Sequence, residues 1–272
     1  MGTSEFSRNR QRILYPLLLA ALFPTIQMLT SAAAGLLLHA LAPPAEAARM
    51  LDSPNSLLAT VGISQIIALF VIAQLGRPIL MPATRSRIRD LHLLLSLAIP
   101  VVVLTFGGQL VESGILALLD IDMGRYRDIQ EVIFAADPVV VLIAVAVIPG
   151  ICEELIFREI IQPATTYTLG AVAGIVYTSA LFAIVHLVPI QIIAAFAFGL
   201  LFGYLRYRTG SVYPAILAHI AANALVAVYG RATADLPETV PATGILVFTI
   251  AVGVTVVIAG IVLVERTVRK SG

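Results

Sequence analysis

"PGICEELIFREI", residues 149–160, sets Glu153, Glu154, Arg158 and Glu159 into an otherwise apolar run. These three glutamates are the only acids between Asp137 and Asp235. A charge at the centre of a membrane-spanning helix costs about 2.5–3.5 kcal/mol, and ionisable residues kept at that depth mark functional sites. The stretch therefore raises two questions: whether it lies in a membrane, and what its charges face.

The composition around it answers the first. The 272 residues are 59% hydrophobic and 12% charged, with a mean hydropathy of +0.98, far more apolar than a soluble domain. A bilayer core needs about 20 apolar residues per helix, and runs of that order recur. The sequence predicts an all-α polytopic transmembrane bundle of about eight spans, near 13–41, 57–75, 91–110, 138–162, 169–188, 189–206, 212–229 and 244–264. The fifth and sixth are barely separated at "HLVPI" (186–190), so seven is the alternative count. A first run of this length reads as an uncleaved span and not as a signal peptide, despite "SAAAG" within it.

Thirteen of the 17 Lys and Arg residues, among them Arg77, Arg85, Arg87, Arg89, Arg206 and Arg208, fall on one side of this arrangement, and only Arg49, Arg125, Arg127 and Arg231 fall on the other. By the positive-inside rule both termini are cytoplasmic. Basic residues spread in this way are topology determinants, so no nucleic-acid partner is expected. Residues 111–137 are of mixed character, suiting either an ordinary outer loop or a short interfacial helix, and 230–243 reads as a connector. The pairs Gly170/Gly174 and Gly199/Gly203 suit close helix packing.

Partners for the glutamates come from spacing. Glu154 and Arg158, four apart, share a helix face, whereas Glu153 is turned by about 100° and is free to face a cavity. Phe182 and His186 are likewise four apart, as are His219 and Asn223, on two further helices. A carboxylate, two imidazoles and a carboxamide then converge, the inventory that activates water and binds an oxyanion. His39 and His92 sit near span ends as snorkelling or packing residues, and Cys152 reads as a small packing residue. No HExxH, phosphate loop or GxSxG elbow occurs.

"EELIFR" (Glu153, Glu154, Arg158), "FAIVH" (Phe182, His186) and "HIAAN" (His219, Asn223) resemble, in order, the three motifs of the CPBP family, the CAAX proteases and bacteriocin-processing intramembrane enzymes also called Abi or Rce1-like. The resemblance covers about 138–230 and divides the chain into N-terminal helices (1–137), a protease core (138–230) and a last helix with its loop and tail (231–272). Glu159 departs from the glycine common in the family and is expected to add a charge near the cavity.

The resemblance implies endopeptidase action on a membrane-embedded or lipidated substrate, a CAAX-type tail or a peptide precursor; the Arg-rich, almost Lys-free composition points to the cytoplasmic membrane of a prokaryote. Glu153 is then the general base, His186 holds the water, His219 and Asn223 bind the oxyanion, and Glu154, Arg158 and Phe182 support them. The family is labelled metalloprotease, and Glu153, His186 and His219 suit a three-ligand zinc site; the same groups also complete a metal-free glutamate mechanism. The expected cavity faces the cytoplasm. The rival readings are a transporter and a catalytically inert scaffold or immunity protein. On the protease reading, Glu153→Ala and His219→Ala abolish cleavage in a protein that still inserts, whereas His39→Ala and His92→Ala retain it, as a peptide-cleavage assay on membranes would read.

Overall fold

The computed structural model describes residues 3–80, 91–119, 124–233 and 241–271, and among them every regular element is helical. In chain order these are α1 (Thr3–Leu41), α2 (Pro44–Asp52), α3 (Pro54–Leu75), α4 (Leu91–Leu118), α5 (Gly124–Ala135), α6 (Pro138–Leu169), α7 (Ala171–Ile184), α8 (Pro189–Thr209), α9 (Tyr213–Thr233) and α10 (Thr243–Ser271). Seven of them are long and apolar enough to cross a bilayer. Large side chains such as Leu36, Phe70, Leu95 and Ile99 lie mostly exposed on their outer faces, which is where a lipid-facing surface belongs. The chain is an integral membrane protein. Arg85, Arg87 and Arg89, counted above among the inner cations, lie outside the described residues, as do 234–240 of the expected 230–243 connector.

Two of the expected segments change shape. The fifth span is only the 14 residues of α7, about 21 Å at 1.5 Å per residue and short of a 30 Å core. The third span runs on to Leu118, and Gly124–Ala135 of the expected loop or short interfacial helix is the helix α5.

α6 is central: half of its apolar window is buried, against 17% for α10. It is α-helical at its ends and middle, with two π-helical stretches, Leu142–Val147 and Leu155–Ile161, on either side of the glutamates. The N–H groups of Ile148 and Gln162 accordingly bond five residues back, to Ile143 and Phe157. π-Bulges of this kind recur at functional sites. Gly170, at φ +83°, caps α6 and turns the chain into α7; this left-handed turn, and not close packing, is its role.

α7 runs antiparallel to the end of α6, where Thr165 and Thr178 share a hydroxyl bond of 2.8 Å. A Cβ on Gly174 would lie 2.5 Å from Thr166 backbone atoms, which accounts for that glycine. α8 then runs parallel to α6, joined by Gln162 Nε2 donating to Gly203 O at 2.8 Å and Arg158 Nη2 donating to Gly199 O at 3.1 Å.

α4 and α10 form a second seam of close approach. A Cβ on Gly107 would sit 2.7 Å from Val257 N, and one on Gly260 2.7 Å from Leu104 Cα. Backbones that close exclude any side chain. Gly260→Val should therefore destabilise the protein by about 1–3 kcal/mol, seen as a lower Tm in detergent, whereas Gly244→Ala, with nothing within 4 Å of the added carbon, should leave Tm unchanged.

Candidate active site

The expected constellation assembles around His219. Its Nδ1 lies 2.9 Å from Glu154 Oε1 and its Nε2 lies 4.0 Å from Glu153 Oε2, so one imidazole stands between both glutamates. The ring is stacked on Phe202 (centroids 4.9 Å apart, 19° between planes) and meets Phe182 edge-on at 5.7 Å. Its position is fixed from four directions.

Glu154 also pairs with Arg158 Nη1 at 3.2 Å, as the four-residue spacing foretold, and both side chains are fully buried. The guanidinium lies 4.2 Å over the Phe182 ring, a cation–π contact strengthened by desolvation. Arg206 donates from Nε to the Arg158 carbonyl (3.1 Å) and pairs with Glu159 (3.3 Å). Glu159 does not line the cavity. The expected extra charge near the site is instead directed to Arg206.

His186 stands just past the end of α7, half-buried, with Nδ1 2.9 Å from the Phe182 carbonyl and its ring against the Phe182 ring (5.0 Å). A neutral ring must donate from Nδ1 to that carbonyl, which leaves the Nε2 lone pair free. Leu187 follows at φ +60°, and Val188 N–H bonds back to His186 O at 2.8 Å. This γ-turn is rare for a residue with a side chain, and it reverses the chain directly after His186.

Asn223 donates from Nδ2 to Val145 O at 2.9 Å. That carbonyl lacks its α-helical partner because the residue four ahead is Pro149, which has no N–H. One of the two amide protons of Asn223 is thus committed to α6, and the other is left for a ligand.

Gln65 of α3 was not foreseen. It is buried, and its Nε2 donates to Glu153 Oε1 at 3.3 Å. The available signal was a glutamine inside "GISQIIALF", but nothing in a single sequence tells which neighbouring helix such a residue meets.

Glu153, His186, His219, Asn223 and Gln65 all line one cavity of about 620 Å³, the size of a small-ligand or short-peptide site. It extends to Gln109 and Glu112 of α4 and to Tyr126, Asp128 and Phe134 of α5. Burial, then the nearby Glu112, pushes the Tyr126 phenol above its ordinary pKa, so it stays a neutral donor at the mouth. α5 thus forms a wall of the cavity and is no idle loop. His39 and His92 are exposed and lie elsewhere. α5 belongs to the segment that the arginine distribution places outside.

Among the described residues no three His, Cys, Asp or Glu side chains stand together as a metal-holding group. Glu153, His186 and His219, the expected zinc donors, line one cavity without forming such a group.

Residues 135–225 match the family model described as Rce1-like, type II CAAX prenyl endopeptidase. No curated protein and no solved structure matches the chain. Within the matched segment, Arg158 is the buried cation on which the pairing of Glu154 depends. Arg158→Met should cost about 3–5 kcal/mol by stranding a buried carboxylate. Adding Glu154→Gln should recover part of the loss, a non-additivity that thermal unfolding of the single and double variants would read.

Proposed function

We propose that this chain, whose residues 135–225 match the Rce1-like family model, is an intramembrane endopeptidase that cleaves a membrane-associated protein or peptide with water activated by Glu153. The observation that carries the reading is the placing of His219 between two buried glutamates at the floor of a cavity large enough for a peptide segment.

Glu153 Oε2 is buried without a hydrogen-bond partner and faces His219 Nε2 across 4.0 Å, a separation one water spans with ordinary hydrogen bonds. In the proposed step Glu153 Oε2 takes a proton from the water as its oxygen attacks the scissile carbonyl. The Nε2 lone pair of His186 accepts the other water hydrogen. The oxyanion receives hydrogen bonds from His219, protonated on Nε2, and from the uncommitted amide proton of Asn223.

Glu154 holds the opposite edge of the His219 ring, as the carboxylate of a hydrolase triad orients its histidine. Arg158 holds Glu154 in turn. Glu153 then passes its proton to the leaving amine, so that the base ends as it began.

All of these steps run through the chain's own groups. Zinc, expected from the sequence on Glu153, His186 and His219, would require those donors to draw together, and the chelator arm of the experiment reads whether an ion is needed. A transporter would spread its polar groups along the bundle; the reading as a protease is favoured by the placing of both glutamates against the one ring of His219. An inert scaffold would have no use for a buried, unpartnered carboxylate oxygen that costs free energy to keep.

The test is cleavage of a quenched peptide library by the purified protein in detergent, with and without chelator and then zinc. Wild type should cleave and Glu153→Gln should not. Asn223→Ala should lower kcat by about 10²–10³, the effect of losing one oxyanion donor. Equal cleavage by wild type and Glu153→Gln would remove Glu153 from the mechanism.

A further inference from the structure

We infer that Gln65, on α3 and outside the matched segment, is a positioning residue for Glu153; this rests on the reading of Glu153 as the base. A glutamine amide within an apolar helix is costly to bury unless it is hydrogen-bonded. Gln65 is 6% exposed, and among the described residues its one side-chain hydrogen bond goes to Glu153 Oε1 at 3.3 Å. Its Oε1 has no partner. Nothing else about the position supports a purely structural role, since the amide bridges to no backbone group and caps no helix.

The geometry explains what the bond does. A carboxylate joined to its chain by a single torsion can turn either oxygen toward the cavity, and a broad torsion of this kind holds no preferred orientation by itself. The amide of Gln65 engages Oε1 and so leaves Oε2 as the oxygen facing His219 Nε2. At 3.3 Å the bond is long, as such contacts are before substrate closes the site. The sequence also prepares the approach: one turn before Gln65, Gly62 lets α3 pack onto α6, where an added Cβ would meet Ile148 Cδ1 at 3.0 Å. Supporting partners of this kind typically contribute 10–100-fold to activity.

The full-length protein in detergent supplies two independent readouts. In the first, Tm is measured for Gln65→Met in the wild-type and in the Glu153→Met background. The expected result is a lower Tm in the first background and little change in the second. An equal shift in both means that no bond joins the two residues and overturns the inference. In the second readout, Gln65→Met should lower kcat for a cleaved peptide about 10–100-fold with KM within about twofold. Ser64→Ala, which removes a hydroxyl that bonds only to Val61 O of its own helix, should leave both constants unchanged. An unchanged kcat in Gln65→Met likewise overturns the positioning role. If wild type cleaves no peptide, the endopeptidase reading fails, and the Tm comparison still decides whether Gln65 holds Glu153.

Discussion

Arg158 is a fully buried cation, and the centre of the bundle is organised by the need to satisfy it. Without water, its charge must be met from within the protein. It is met by Glu154, by the Gly199 carbonyl and by the Phe182 face. Each partner lies on a different helix or a different turn, so that satisfying one guanidinium fixes α6, α7 and α8 relative to one another. Glu154 Oε1, the oxygen that meets Arg158, also meets His219 of α9. The remaining groups are placed by the frame this charge imposes.

The parts of this frame that run along a single helix were legible in the sequence. Glu154 meets Arg158, and Phe182 meets His186, because residues four apart on a helix are neighbours. Their meeting with His219 and Asn223 across helices was inferred from shared polarity in an apolar setting and from motif order. What stayed hidden depended on how helices lie against one another. The bond from Gln65 to Glu153 needs α3 to pass beside α6, and the bond from Asn223 to Val145 needs the carbonyl that Pro149 leaves without a donor. The short α7 was hidden for another reason. The break at "HLVPI" was legible, but apolar residues continue past Ile184 into the turn, so hydropathy overstates a helix that ends before the reversal at Leu187.

The π-helical stretches have a related effect. Each widens α6 without introducing a polar residue or a break in apolar character, and so neither leaves a mark in composition. Together they flank the seven residues that carry both glutamates, and they turn the side chains beyond them relative to an ideal helix. Loss of one residue from Leu142–Val147 would restore ordinary α-geometry there and remove the widened turn before the glutamates.

The direction of α8 has a consequence for topology. Seven long helices, counted simply, would leave the two ends of the chain on opposite sides of a membrane, because an odd number of crossings changes sides. Here α7 carries the chain back from the end of α6, and α8 returns it parallel to α6. Taken together, that pair brings the chain back to the end of α6 from which it set out. Six long helices, α1, α3, α4, α6, α9 and α10, then stand outside it.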